Sequence, residues 1–281
     1  QERMLSVGTV SENLPANVSI VNRIEAKYAI DYKVSSNLNK LFKKLKMKNK
    51  PYVDYQGYEI DIEEYVNNLI RGIDINKSFE DRKKSKGASI VISIDGSASM
   101  HGRKIKIAQK LVATIYESLK GIPEIEVKGN IWSGNVMGDV GITEINKMSD
   151  VKKITTTSME GGYFSTPTHM GLEYSGRMLK KMRGEKKLLI LITDGFPNHY
   201  KNKTNLQFVH YSKVCKKSLE NVLQITPNVL FFIVDKKEYG IYYNKLFAEK
   251  RIIYVNNMNK AFDSVVKQFR KFVQRNSMNF F

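Results

Sequence analysis

Ala88-Ser89-Ile90-Val91-Ile92-Ser93-Ile94-Asp95-Gly96-Ser97-Ala98-Ser99-Met100 joins an apolar, β-branched run to a cluster of small polar residues. A short run of this kind, with almost no polar alternation, predicts a strand buried on both faces. Asp95-Gly96-Ser97 then predicts a turn. A helical pattern over residues 104–119 follows within ten residues of Asp95. Strand, loop and helix in that order place the loop at the carboxyl edge of a sheet, where open α/β sheets bind ligands.

Working outward, the same alternation continues. Strands are expected near residues 125–132 and 139–145, a short stretch apart and so readable as an antiparallel pair at a sheet edge. A helix over 167–182 and a strand over 188–193 come next. A partly helical stretch ends before Thr226, and strand 229–234, a short helix near 242–247, strand 251–255 and a final helix near 259–273 complete the series. This order predicts an α/β fold, a doubly wound, mostly parallel sheet with helices on both faces and right-handed crossovers. Upstream, Ile20, Val21, Ile24, Tyr28, Ile30, Tyr32, Leu38, Leu41, Phe42 and Leu45 fall mainly three or four apart and suggest one or two amphipathic helices within residues 14–46, with another over 61–73. The expected organisation is a basic, mainly helical extension over 1–86 and the α/β domain over 87–281.

Two further loops of the predicted edge carry matching groups. Gly161-Gly162-Tyr163-Phe164-Ser165-Thr166-Pro167-Thr168 runs into a helix, and the strand before Thr193-Asp194-Gly195 ends in a second carboxylate. Two carboxylates and several hydroxyls are hard oxygen donors, which select Mg²⁺, with Mn²⁺ or Ca²⁺ as alternatives. Hydroxyls add no charge and two carboxylates only neutralise a divalent ion if both bind it directly, so a site with one of the two Asp outside the direct ligands leaves the ion electron-poor. A carboxylate from another protein can then complete it. No His stands where it would activate Ser97 or Ser99 as a nucleophile.

These three motifs resemble the metal-ion-dependent adhesion site of von Willebrand factor A domains, over roughly residues 87–275. The resemblance implies Asp95, Ser97 and Ser99 as ligands from the first motif, Thr166 (or Thr168) from the second and Asp194 from the third, often through water. Met100-His101-Gly102-Arg103-Lys104-Ile105, Thr166-Pro167-Thr168-His169-Met170-Gly171 and Thr193-Asp194-Gly195-Phe196-Pro197-Asn198 are similar to an intracellular branch, that of cobalt-chelatase accessory subunits and nitric oxide reductase activation proteins. Gly57-Tyr58-Glu59-Ile60-Asp61-Ile62-Glu63 and Ser78-Phe79 also resemble the approach to that branch's domain. What this implies is a cytoplasmic adaptor that couples a MoxR-type AAA+ ATPase ring to a target protein. The long acidic segment of some chelatase subunits is missing here, which weighs against a role in ATP-dependent insertion of cobalt or magnesium into a tetrapyrrole.

Composition narrows the rest. The chain has 281 residues and 46 Lys and Arg against 28 Asp and Glu, a net charge of +18, which attracts nucleic acid, acidic proteins or anionic lipid. The basic runs at residues 43–50 and 82–86 read first as a solvated helix end and a linker. Their second reading is a surface for an acidic partner, with nucleic acid as the alternative because Phe42, Tyr52, Tyr55 and Tyr58 lie close by. Cys215 stands alone, which excludes a disulfide scaffold and fits a reducing compartment. No apolar run reaches the roughly 18 residues of a membrane-spanning helix, so a soluble protein without a membrane partner is expected. The chain opens Gln1-Glu2-Arg3-Met4, the start of a processed product or fragment, with no recognisable signal peptide. A Walker-type phosphate loop is absent, so ATP hydrolysis by this chain is not expected. His101, His169, His199 and His210 read as surface or packed residues, and Trp132 as core.

Overall fold

The computed structural model describes residues 18–43, 52–54, 59–60, 62–72, 79–81, 87–135, 138–156, 165–194, 197–198, 207–234, 251–255 and 258–277. The elements in chain order are β1 (Val18–Ile20), α1 (Tyr32–Lys43), β2 (Tyr52–Asp54), β3 (Glu59–Ile60), α2 (Ile62–Arg71), β4 (Phe79–Asp81), β5 (Ala88–Asp95), α3 (Arg103–Ser118), β6 (Ile125–Gly134), β7 (Val140–Ile145), α4 (Thr168–Lys181), β8 (Lys186–Thr193), α5 (Gln207–Ile225), β9 (Val229–Val234), β10 (Ile252–Val255) and α6 (Met258–Ser277). The main sheet runs β1-β7-β6-β5-β8-β9-β10, and only the β6–β7 pair is antiparallel. The mostly parallel α/β sheet is therefore as expected. A separate antiparallel sheet has the order β2-β4-β3.

The pleat explains why β5 reads as an unbroken apolar run. Ile90, Ile92 and Ile94 enter a cluster with Ile105, Leu111 and Ile115 of α3, Leu38 and Phe42 of α1, and Phe262, Val265 and Phe269 of α6. Val91 faces the other way, into a cluster with Leu172 and Leu179 of α4 and Leu219 and Val222 of α5. Both faces are thus covered by helices. Ser89 and Ser93, also fully buried, find partners there: Ser89 Oγ accepts from the Gly184 amide at 2.8 Å, and Ser93 Oγ accepts from Trp132 Nε1 at 2.8 Å.

Three expectations are corrected. Residues 18–31 are not helical: Val18–Ile20 pair in parallel with Val140–Ile142, and the Val21 amide continues the ladder to the Ile142 carbonyl at 2.8 Å. Residues 21–31 have no regular structure and α1 begins only at Tyr32. A β-branched Val-Ser-Ile segment gains more from the open edge of β7 than from an isolated helical turn. The β6–β7 pair consequently does not lie at the edge, because β1 covers it. The stretch over 1–86 is also no simple helical extension, since β1 completes the sheet, α1 buries Leu38 and Phe42 in the core, and Phe42 meets Phe269 edge-on at 4.9 Å. The expected helix near 242–247 and the basic runs 44–50 and 82–86 lie outside the described residues.

Candidate functional site

Parallel register builds the site. Ile94 of β5 pairs with Ile192 of β8, so Asp95 and Thr193 end neighbouring strands side by side, and Asp194 follows at once. On the other flank Asp95 pairs with Trp132 of β6, whose carbonyl accepts from the Gly96 amide at 2.7 Å. The chain then folds back on itself: the Ser97 amide donates to Asp95 Oδ1 at 2.9 Å, and Ala98–Met100 form a single 3-10 turn.

A chain of polar contacts links the two acids. Ser97 Oγ and Ser99 Oγ are 3.1 Å apart, and Ser99 Oγ donates to Asp194 Oδ1 at 2.7 Å. Thr193 Oγ1 donates to Asp95 Oδ2 at 2.6 Å. Lys104, in the first turn of α3, donates to Asp194 Oδ2 and to the Ser99 carbonyl, the latter at 3.1 Å. Asp95 and Ser97 are fully buried and Asp194 nearly so, whereas Ser99 is exposed and opens the cluster to solvent.

Asp95 is the electrostatic centre. Burial, and then the charge of Asp194, push its carboxyl up to about 7, against opposing hydrogen bonds from Thr193 and Ser97. Its immediate partners are neutral donors. Among the described residues no group of three or more His, Cys, Asp or Glu gathers anywhere, so this cluster of two carboxylates and several hydroxyls is oxygen-only and hydroxyl-rich. Such a donor set fits a hard divalent cation, and a cation beside Asp95 would relieve the burial of its charge.

The structure joins Asp95, Ser97, Ser99 and Asp194 in one network. Thr166 is buried at the entry to α4, where its amide donates to the Asn198 carbonyl at 2.7 Å and accepts the Asn198 amide in return at 3.0 Å through its own carbonyl. None of the hydrogen bonds of the Asp95 network reaches the Thr166 hydroxyl among the described residues. Thr168 is turned back on its own chain, its hydroxyl 3.4 Å from the Thr166 carbonyl. Residues 157–164 and 195–196, parts of the second and third loops, lie outside the described residues, as does His199. His101 is exposed, with Nδ1 3.2 Å from Thr156 Oγ1, while His169 is buried.

Sequence reasoning missed three contributors. Thr193 was legible only as part of a motif, not as the fastening of Asp95. Lys104 gave no signal, because its partner is 90 positions away. Arg23 reaches the site from the segment expected to be helical: it is buried, donates to Ser133 Oγ and to the Thr155 carbonyl, each at 2.8 Å, and lies so close to Gly96 that a Cβ there would stand 2.8 Å from its guanidinium.

Residues 89–221 match the family model for the von Willebrand factor type A domain. No curated protein matches the chain. Among solved structures, the D319A mutant of the PilB minor pilin from Streptococcus sanguinis is similar with a TM-score of 0.48 at 14% identity, over 67% of this chain and 62% of that one. The chain thus spans about three fifths of the length of that pilin. BatB, a conserved hypothetical protein from Bacteroides thetaiotaomicron, gives 0.45 at 14% identity, over 66% and 99%. The vWF domain of the type V pili tip protein Mfa5 from Porphyromonas gingivalis gives 0.41 at 11% identity, over 69% and 96%.

Proposed function

We propose that this chain is a protein-binding module whose attachment point is a divalent cation, Mg²⁺ foremost and Mn²⁺ or Ca²⁺ as alternatives, held by Asp95, Ser97, Ser99, Thr166 and Asp194. The observation that carries the reading is the continuous network from Asp95 through Thr193 and from Ser97 through Ser99 to Asp194, buried at one end and exposed at the other. When bound, the cation supplies an electrophilic coordination position that an acidic side chain of a partner completes. Asp95 contributes the one carboxylate faced only by neutral donors. Ser97 and Ser99 contribute oxygens without charge, and with Asp194 acting through water Asp95 is the one carboxylate bound directly, so the ion stays electron-poor. Trp132 and Gly96 hold the loop to the sheet, and the partner approaches from the side of Ser99.

The finer reading names the partners: an AAA+ ATPase ring of the MoxR type and a target protein that it remodels, in a reducing compartment. Its support is the similarity of the three motifs to the intracellular branch. Capture with the wild-type chain and with Asp95→Ala, each in Mg²⁺ or EDTA, tests it. An AAA+ ATPase held by the wild type in Mg²⁺, and lost in both the variant and EDTA, is the expected result; recovery indifferent to both overturns the reading.

One observation favours nucleic acid as a second reading. Lys33, Lys40 and Lys43 of α1 and Lys267, Arg270 and Lys271 of α6 are exposed on two helices that pack together. Binding of an RNA or DNA duplex that falls steeply with salt and ignores EDTA would place function on that face.

A further inference from the structure

The two acids of the site are held differently. Asp95 is met by the Thr193 hydroxyl and the Ser97 amide, both neutral. Asp194 is met by the Ser99 hydroxyl on one oxygen and by the Lys104 ammonium on the other. Nothing in α3 itself favours a cation at this position. The first turn of α3 contains no acid, and Lys104 sits there with Arg103, at the end of a helix where the backbone dipole repels positive charge. The ion pair with Asp194 is what retains it. Lys104 is also not sealed in: its side chain keeps 18% of its exposure while Asp194 keeps 2%, so the ammonium has a route into water that the carboxylate lacks.

We infer that Lys104 is an intramolecular counter-cation of this site: it neutralises Asp194 in the cation-free chain, and an arriving divalent ion competes with it, so that Lys104 sets the affinity for metal. The inference rests on the metal-dependent reading above. A carboxylate at the carboxyl edge that is buried and lacks any cation would cost the free protein stability. Lys104 supplies that cation in the resting chain and, by swinging its flexible stem outward, gives it up when a doubly charged ion takes its place. The site therefore stays folded without metal, binds metal more weakly than its oxygen donors alone would, and changes the charge displayed beside Ser99 when it loads.

Calorimetric titration with Mn²⁺ tests this on the full chain, using wild type, Lys104→Met, Lys104→Gln, Lys104→Arg and Asp95→Asn. Both neutral variants should bind Mn²⁺ about tenfold tighter or more, a small part of the full repulsion at such range because the wild-type ammonium can retreat into water. Lys104→Arg should stay near the wild type. In EDTA the neutral variants should also melt lower than the wild type, and Mn²⁺ should raise their melting temperatures by more. Should either neutral variant fail to fold, the other carries the comparison. If Mn²⁺ binds the wild type, is lost in Asp95→Asn and binds the neutral Lys104 variants no more tightly, the inference fails while the metal site stands. If no chain binds Mn²⁺, both fail together.

Discussion

Thr193 donates its hydroxyl to Asp95 across the β5–β8 boundary at 2.6 Å, so the residue before the second acid is the fastening of the first. The two motifs are one unit, not two ligand sets that meet by chance of folding. Thr193→Val keeps the shape and removes the donor, leaving Asp95 Oδ2 buried without it. We expect a loss of about 1–3 kcal/mol in stability without metal, read by denaturant unfolding, together with weaker Mn²⁺ binding. An unchanged midpoint would show that the hydroxyl is not structural.

Stability should depend on pH through Asp95. Its carboxyl keeps a proton up to about 7 in the folded chain against 3.8 ordinarily, so within that window the folded chain holds more protons than the unfolded one. Stability in EDTA must then fall as pH rises through the window, with the loss complete above about 7. Asp95→Asn removes this slope, and the difference between the two melting profiles isolates it from all other groups. Identical profiles would mean that Asp95 is ionised well below neutrality.

Trp132, the only tryptophan, reports on the floor beneath the loop. A Cβ at Gly171 would stand 2.3 Å from Trp132 Nε1, whereas one at Gly176, on the same helix, would come no closer than 3.2 Å to Val222. Gly171→Ala should therefore cost at least about 1–3 kcal/mol and shift the Trp132 emission. Gly176→Ala should be much milder and spectrally silent. Equal effects would argue against the close packing of Trp132 on α4.

Cys215 offers a test of core integrity. It is buried, and burial is the main reason that its thiol is pushed up to about 12. It should resist a thiol-specific disulfide reagent in the native protein and react fully in denaturant. Rapid labelling of the folded chain would show that α5 opens readily.

The parts of this molecule that were legible in its sequence are those whose signal is local. β5, α3, β8 and β9 announce themselves because an apolar run or a helical stripe is a property of neighbouring residues. That Asp95, Ser97, Ser99 and Asp194 gather at one sheet edge was legible because each closes such a run or stands within a few residues of its end. The rest depends on distant partners. Ile20, Val21 and Ile24 have helical spacing, yet Val18–Ile20 are claimed by Val140–Ile142, more than a hundred positions on. Arg23 and Lys104 are ordinary surface types by composition, and only the fold reveals the oxygens that draw them in. α2 shows the converse: its amphipathic stripe forms the expected helix, but Ile62, Leu69 and Ile70 stay largely exposed.

Strand β1 also bears on how the molecule avoids its own kind. A fragment begun at Gly87, which would keep the whole matched stretch, would leave the six residues of β7 as an open ladder edge beside a buried apolar face. Such an edge invites a neighbouring chain to add a strand. With β1 in place the outermost strand is only three residues long, and the backbone then leaves the ladder towards Arg23. The segment ahead of the matched stretch in this sense shortens the edge open to strand addition as well as completing the sheet.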